Sequence, residues 1–466
     1  MNPLLLAPSL ILVPSSPDPS TSVWTTSPAK AFYESSVLGN GRLGAMVFGG
    51  VGRERVVLNE STMWSGSPQD ADREDAHKVL PQIRAHLLKG ENKEANDLVQ
   101  QNFVCKGPGS GGPKYGCYQT FGDLVIDSPE AEATDYRRVL DLDRATTTVF
   151  YRSAGTAYLR EAFASAPANV VVYRYRAEGR GKITFDARLT RPERAFARAS
   201  GDDYIIGGQL ESGDEATPGV RFNGRLRVIA KGGTVATDAA GIHVKGADEA
   251  TLVFSAGTSM FDPGFEESAR TQVDAAAKKG FDALQREHVE DHQSFFRRVK
   301  LDLAEGPSAA KPTVERLEAS DKGEDDPSLA ALYFNFGRYL LIGSSRPDSP
   351  LPANLQGIWA EELRTPWNGD FHLNINVQMN YWPAEVTNLS DCHTPLLEFT
   401  KKLVANGEKT AKAYYAADGW VAHTISNPWL FTSPGEGASW GSALTSGAWL
   451  CEHLWNHYAY SKDKEY

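Results

Sequence analysis

The feature that most constrains this chain is a change of hydrophobic pattern near residue 263. From about residue 23 to residue 260, alternating or β-branched runs follow one another at short intervals, most clearly at residues 145–152, 157–163, 169–177, 182–189, 219–230 and 249–256. Runs with a period of two, separated by turn-forming clusters, are typical of antiparallel strands. We therefore predict a large antiparallel β-sandwich, interrupted by one helical insertion near residues 75–103.

Beyond residue 263 the apolar residues recur at helical spacing instead. Residues 265–300 combine such a stripe with many charges, which indicates linker helices. Asp326-Pro327 combines an N-cap residue with proline at the first helical position, so a helix is expected to begin there. Further helices are predicted near residues 394–416 and 444–458. The predicted organisation is a leader over 1–22, a β-sandwich domain over 23–262, a helical linker over 263–325 and a helical domain over 326–466.

The charge balance argues against nucleic acid as a partner. The chain carries 59 acidic and 48 basic residues, a net charge of −11, with no local basic stripe. A polyanionic ligand would need such a stripe. Neutral sugars fit this composition better, because the 10 Trp, 17 Tyr and 20 Phe supply aromatic faces that stack on sugar rings. Most of these aromatic residues are nevertheless expected in the core.

The first 22 residues contain an apolar stretch that prolines interrupt and that no basic segment precedes. The stretch is too short to cross a bilayer as a helix. It is interpreted either as a clipped or atypical export signal or as a disordered leader. On the first interpretation the protein is secreted or periplasmic. No other segment predicts contact with a membrane.

Two motifs match ligand-binding signatures but lie in the wrong context. Residues 39–44, Gly-Asn-Gly-Arg-Leu-Gly, match a dinucleotide fingerprint, yet strand-like residues follow where that fingerprint needs a helix. His288 and His292 are spaced like a zinc-binding pair, but Val289 stands where a zincin has Glu, and no third ligand is evident nearby. A charged, solvated linker helix is the favoured interpretation. We therefore predict no cofactor and no metal ion.

The four cysteines are too few for a disulfide framework in a chain of 466 residues. Cys105 and Cys117 flank a Gly/Pro-rich loop and could pair in an oxidising compartment. Cys392 and Cys451 lie among apolar helical residues and are interpreted as free thiols.

The segment most suggestive of function is residues 351–385, which has more Asn, Trp and Gly than a plain core segment. Asn374 and Asn376 are spaced by two, so in an extended strand both amides would face the same side. Paired carboxamides offer donors and acceptors that orient a water or hold a sugar hydroxyl. The alternative is that the two side chains tie down a turn.

This segment is one of several long motifs that stand in a definite order along the chain. The others are LGNGRLGAM at 38–46, LNESTMWSG at 58–66, YQTFGDL at 118–124, REAFAS at 160–165 and GAWLCEHLW at 447–455. Together they resemble glycoside hydrolase family 95, the α-L-fucosidases that act mainly on terminal α-1,2-linked fucose. The resemblance covers nearly everything from residue 23 to the end of the chain.

The resemblance implies a β-sandwich, a helical linker and the first part of an (α/α)6 catalytic barrel. It also implies release of fucose from an oligosaccharide or glycoconjugate with inversion, in which one carboxylic acid protonates the leaving oxygen and a base activates water. Family members use an Asp base assisted by two asparagines, which match Asn374 and Asn376. The family's acid and base lie further along the barrel, so we expect neither in this chain and expect the chain alone to be inactive.

We predict His372, Trp382, His423 and Trp440 as substrate-binding residues of the same site. Two alternatives to a fucosidase stay open. One is an α-L-galactosidase of the same family, because L-galactose shares the stereochemistry of fucose and adds a hydroxyl at C6, which a pocket rejects only weakly by size. The other is a non-catalytic glycan-binding protein.

Overall fold

The computed structural model describes residues 16–130 and 132–464. Residues 1–15, which make up most of the predicted leader, lie outside the described residues. None of the helices within the described ranges is long and apolar enough to cross a membrane. The chain divides into two compact units, and each unit is assembled from segments that are separated in sequence.

The strands and helices are numbered in chain order. The strands are β1 (Ser22–Thr25), β2 (Ser36–Gly39), β3 (Leu43–Val47), β4 (Arg53–Glu60), β5 (Gly122–Asp127), β6 (Thr134–Asp141), β7 (Thr146–Ser153), β8 (Thr156–Ser165), β9 (Val170–Ala177), β10 (Ile183–Thr190), β11 (Ala195–Ser200), β12 (Asp203–Gln209), β13 (Arg221–Lys231), β14 (Thr234–Asp238), β15 (Gly241–Ala247), β16 (Glu249–Thr258), β17 (Phe371–His372) and β18 (Ile425–Ser426). The helices are α1 (Leu80–Leu88), α2 (Asn92–Asn102), α3 (Phe265–Lys279), α4 (Phe281–Phe296), α5 (Thr313–Asp321), α6 (Pro327–Ser344), α7 (Asn376–Val386), α8 (Ser390–Tyr415), α9 (Ala438–Gly441) and α10 (Ser446–Ser461).

Of the described residues, the first unit comprises 16–61, Thr120–Gly208 and Arg221–Ser344. It contains a nine-stranded sheet in the order β1-β6-β7-β8-β9-β16-β13-β12-β11 and a seven-stranded sheet in the order β14-β15-β10-β5-β4-β3-β2. Tyr175 of β9 packs on Phe185 of β10 with ring centroids 5.1 Å apart, so inward-facing side chains of the two sheets meet in the core. The predicted antiparallel sandwich is confirmed.

The strand predictions succeed because the pattern of burial matches the pattern of hydrophobicity. All six runs named from the sequence fall on strands, namely β7, β8, β9, β10, β13 and β16. In β10, for example, buried and more exposed residues alternate along the whole strand. The side chains of a strand point alternately to its two faces, so this alternation identifies the face turned to the core.

The helices predicted as a linker pack against the nine-stranded sheet. One cluster of buried residues joins β8, β9 and β16 to α3 and α4, and its members are Phe163, Val170, Val172, Val253, Val273, Ala276, Phe281 and Leu284. Burying one large apolar side chain contributes about 1.5–3 kcal/mol, so this contact stabilises both helices on the sheet.

The helix that carries His288 and His292 is amphipathic rather than solvated on all sides. Both imidazoles are buried on α4. The Nε2 atom of His288 lies 3.0 Å from the carbonyl oxygen of Ala145, and that of His292 lies 2.8 Å from the carbonyl oxygen of Leu142. The expectation of a solvated pair is wrong, because these imidazoles satisfy backbone carbonyls beneath the helix.

Of the described residues, the second unit comprises Thr62–Gln119, Gln209–Val220 and 345–464. It contains α1, α2, α7, α8, α9 and α10 and the short strands β17 and β18. The predicted helical insertion belongs here, because Ile83 of α1 and Ala95 of α2 share a buried cluster with Tyr414 of α8. Leu87, one of the apolar residues of the insertion, is 54% exposed and lies outside this cluster.

Candidate functional site

The Asn-rich segment forms a short strand, a turn and then a helix. β17 pairs with β18, with Phe371 opposite Ser426 and His372 opposite Ile425. Asn374 lies in the turn that follows, and Asn376 is the first residue of α7. The expectation that both asparagines lie in one extended strand is therefore wrong. The chain turns after β17, so a spacing of two residues does not by itself place the amides on one side.

The turn between β17 and α7 is held at its base by buried groups. Leu373 is fully buried, and its backbone N–H donates to the carbonyl oxygen of Thr424 over 2.6 Å. Its own carbonyl oxygen accepts from the side-chain amide of Gln378 over 2.5 Å, and that amide is buried as well. These bonds fix the turn because a buried polar group that lost its partner would cost about 1–3 kcal/mol.

Asn374 and Asn376 are exposed on this fixed turn. Within residues 16–130 and 132–464, neither side-chain amide has a hydrogen-bonding partner. The interpretation that they tie down the turn does not fit, because Leu373, Thr424 and Gln378 do that. Two amides on a fixed backbone can bind a water molecule or sugar hydroxyls without first breaking a protein contact.

His372 is oriented by a buried carboxylate. Its Nδ1–H donates to Oδ1 of Asp370, and the hydroxyl of Tyr115 lies 2.8 Å from Oδ2 of the same carboxylate. Burial raises the pKa of Asp370, while the hydrogen bonds from His372 and Tyr115 act in the opposite direction. In the tautomer with the proton on Nδ1, the Nε2 atom of His372 is left as an acceptor for a ligand hydroxyl.

Asp370 and Tyr115 are site residues that the sequence reasoning missed. Asp370 precedes His372 by two residues, and in an extended segment residues i and i+2 lie on one face, so the spacing was a usable signal. Tyr115 had no such signal, because it lies 255 residues away from Asp370 along the chain.

Trp440 is connected to the asparagine turn through one residue. Thr424, which accepts from Leu373, also donates its hydroxyl to the backbone carbonyl of Trp440 over 2.7 Å. The indole lies against Gly435 and Gly437, where an added Cβ would come within 2.4 Å and 2.6 Å of ring atoms. The ring therefore has a fixed orientation while 43% of the residue stays exposed. A fixed, half-exposed indole can stack on a sugar ring.

Trp382 is half-exposed on α7, and its neighbours on that helix suggest a second role for its side chain. Met379, Trp382 and Val386 are all exposed, between 48% and 63%. Their spacing of three and four residues places them on one helical face. An apolar stripe of this kind suits helix packing as well as sugar stacking, so the position alone does not favour ligand binding.

His423 does not join the other predicted site residues at the surface. It is fully buried, with Nδ1 2.7 Å from the carbonyl oxygen of Thr432 and Nε2 2.8 Å from the hydroxyl of Tyr415. Burial lowers its pKa to about 4. The predicted role in substrate binding is corrected on this ground, because both ring nitrogens are already occupied by protein groups.

Trp367 is a further exposed aromatic residue that the sequence reasoning did not single out. It is 75% exposed and has a left-handed backbone, with φ of 49°, and Asn368 follows with φ of 60°. Such conformations cost about 1–3 kcal/mol at residues other than glycine. The turn is retained because Asn368 accepts from the backbone N–H of Tyr118 over 2.8 Å and donates to Ser110 over 2.9 Å. The result is an indole displayed just before β17.

Three carboxylates close to these site residues in the sequence already have partners. Asp370 accepts from His372, Glu385 accepts from His393 and His457, and Glu436 accepts from the hydroxyl and backbone N–H of Ser110.

All four cysteines are free thiols, so Cys105 and Cys117 do not pair. Burial raises the pKa of Cys105 to about 11, which leaves it a weak nucleophile.

Two family models match the chain. The model described as the glycosyl hydrolase family 95 catalytic domain matches residues 280–466. The model described as the glycosyl hydrolase family 65 N-terminal domain matches residues 23–262, more than half of the chain.

Curated relatives and a solved structure are also similar to this chain. Alpha-L-fucosidase 2 of Arabidopsis thaliana is 36% identical over 94% of this chain, and probable alpha-fucosidase A of Aspergillus niger is 33% identical over 95%. The chain spans 56% and 58% of the lengths of these relatives. A putative kojibiose phosphorylase from the human microbiome superposes with a TM-score of 0.55 at 10% identity, covering 94% of this chain and 54% of that one. At that identity the match indicates the fold alone.

Proposed function

Because this chain belongs to glycoside hydrolase family 95, we propose that it supplies the asparagine-bearing part of an α-L-fucosidase. The proposed reaction releases terminal α-L-fucose, mainly α-1,2-linked, from an oligosaccharide or glycoconjugate. Water attacks the anomeric carbon from the face opposite the leaving group, so the configuration inverts. Both curated relatives carry names that describe fucosidases, which supports the choice of sugar.

The observation that carries this proposal is the pair of unpartnered amides on a fixed turn. Asn374 and Asn376 are exposed, while Leu373, Thr424 and Gln378, which hold the turn, are buried and hydrogen-bonded. A carboxamide can accept a hydrogen bond from the attacking water and donate one to its base. In this proposal the two side chains orient the water, His372 accepts from a sugar hydroxyl, and Trp440 stacks on a ring.

Inverting hydrolysis also needs a general acid and a general base, about 6.5–9.5 Å apart. Asp370, Glu385 and Glu436 are poor candidates for either role, because each already accepts hydrogen bonds from protein groups. We propose that the acid and the base are supplied by other residues of the whole protein. Residues 1–466 by themselves are then expected to release no measurable fucose.

The experiment compares residues 1–466 with the whole protein on 2′-fucosyllactose and on an α-L-galactoside. Fucose release by the whole protein, without release by residues 1–466, supports the proposal. Faster release of L-galactose would favour the galactosidase, and saturable binding of the sugar without hydrolysis by the whole protein would favour a glycan-binding protein. Robust release by residues 1–466 would contradict the assignment of the acid and base to other residues.

We also propose a secreted or periplasmic location, on the basis of the apolar leader. Sequencing the N-terminus of protein recovered outside the cytoplasm tests this, because an export signal would be removed there and a disordered leader would be retained.

A further inference from the structure

Three helices of the second unit bring a carboxylate and three imidazoles together in the interior. Glu385 lies on α7, His393 on α8, and His453 and His457 on α10. Oε1 of Glu385 is 2.8 Å from Nδ1 of His393 and 2.8 Å from Nδ1 of His457. Each of the four residues is at most 8% exposed.

We propose that Glu385, His393 and His457 form a binding site for a divalent transition-metal ion, with Zn²⁺ as the preferred ion. One ligand atom from each residue lies within 4.8 Å of the others. Two imidazoles and one carboxylate are a donor set that zinc takes in proteins. Calcium and magnesium are disfavoured, because they prefer oxygen ligands.

The side chains reach metal-binding geometry through small movements. Zinc binds His nitrogen and carboxylate oxygen at about 2.0–2.2 Å, so ligand atoms around a tetrahedral ion are about 3.2–3.6 Å apart. The two nitrogen–oxygen distances of 2.8 Å must therefore open by roughly half an ångström. The two imidazole nitrogens, which lie within 4.8 Å of each other, must approach to the same range. Water or the hydroxyl of Ser390, which donates to Oε2 of Glu385, supplies the fourth ligand.

When the imidazoles are neutral, zinc binding releases no net proton. In the metal-free network, Nδ1–H of His393 and Nδ1–H of His457 both donate to Glu385. On binding, each Nδ1 gives its lone pair to the ion and its proton is carried on Nε2 instead. Nε2 of His393 lies 2.8 Å from Nδ1 of His453 and accepts a hydrogen bond from it in the metal-free network. On binding, Nε2–H of His393 donates to Nδ1 of His453, and His453 carries its own proton on Nε2 instead. A second imidazole in this position fixes the tautomer of a metal-binding histidine.

The proposed ion is structural and takes no part in the hydrolysis. Glu385 lies nine residues after Asn376 on α7, about 13 Å further along the helix at about 1.5 Å per residue. An ion there would hold α7, α8 and α10 together, because it binds one residue of each. The test therefore measures metal content and thermal stability and needs no activity.

The full chain is freed of metal with a chelator and titrated with Zn²⁺ by calorimetry, and bound zinc is measured by elemental analysis. We expect one ion per chain and a higher Tm with Zn²⁺ than with Mg²⁺. Glu385→Gln, which keeps the side-chain shape, and His457→Asn should abolish stoichiometric binding. His453→Asn should weaken it about 10- to 100-fold, the usual effect of losing a group that orients a ligand.

His86→Asn is the matched control. Nδ1 of His86 lies 2.7 Å from Oε2 of Glu91, which forms a His–Glu pair on the surface of the same unit. This variant should bind zinc as the unaltered chain does. Circular dichroism identifies any variant that does not fold. Zinc binding by Glu385→Gln, which keeps the side-chain shape, is then the test of the proposal. Absence of stoichiometric zinc binding, or unchanged binding by Glu385→Gln, would overturn the proposal and leave a purely hydrogen-bonded cluster.

Discussion

Asn374 and Asn376 are exposed polar residues on a backbone that buried neighbours hold in place. If Asn376 orients the attacking water, Asn376→Ala in the whole protein should lower kcat by roughly two to four powers of ten, the usual scale of lost base assistance. KM should change far less, because the amide acts mainly in the transition state. Steady-state kinetics on 2′-fucosyllactose measure both quantities.

Asn92→Ala is the matched control for this prediction. Asn92 is likewise an exposed asparagine at the first position of a helix, α2, in the same unit. Its removal should leave kcat and KM unchanged. Near wild-type turnover by Asn376→Ala would remove the asparagine from the mechanism.

At the scale of secondary-structure elements, the start of α6 is held by a buried ion pair. Asp326 accepts from the guanidinium of Arg316 over 2.9 Å and 3.2 Å, from Ser328 and from the backbone N–H of Leu329. These hydrogen bonds, that of Arg316 above all, lower the pKa of Asp326 to about 2. A lowered pKa stabilises the folded state above the unfolded value of 3.8, and this contribution is lost as the pH falls through about 2.

Asp326→Asn should therefore reduce the free energy of unfolding at neutral pH by about 3–5 kcal/mol, since it leaves Arg316 buried without its counter-ion. The difference between the unaltered protein and the variant should shrink as the pH falls below about 4. Urea unfolding between neutral pH and pH about 3 measures this. Asp302→Asn, which breaks an exposed ion pair with Lys300, should change stability by less than about 0.5 kcal/mol. A pH-independent difference for Asp326→Asn would contradict the argument.

At the scale of the whole molecule, the prediction concerns the stereochemistry of the reaction. If water attacks directly, an α-linked substrate should first release β-fucose, which then equilibrates with the α-anomer in solution. Proton NMR during early turnover by the whole protein distinguishes the two anomers. First release of α-fucose would indicate a covalent intermediate and would assign the asparagines a role other than placing the attacking water.

Features whose cause is local could be predicted from the sequence. The strands of the sandwich follow from alternation of apolar residues, and α6 begins where Asp326-Pro327 predicted it. α8 begins at Ser390, earlier than the predicted start near residue 394, and Pro395 lies inside the helix instead of at its first turn. The segment that bears the asparagines was also evident, because an unusual density of Asn, Trp and Gly is a property of composition.

The sequence by itself determined the order of strands and helices, the family, and which segment bears the candidate site. Tertiary structure alone decided which polar side chains are left for a ligand. His423 and Asn376 looked equally available as residue types, yet packing of Tyr415 and Thr432 occupies the first, and the turn after β17 exposes the second. The cluster of Glu385, His393 and His457 likewise could not be predicted from spacing, because the two histidines lie 8 and 72 residues after Glu385. Which side chains are buried, and which come together in a cluster, depends on contacts between distant segments. The period of the apolar residues indicates only which face of each segment is apolar.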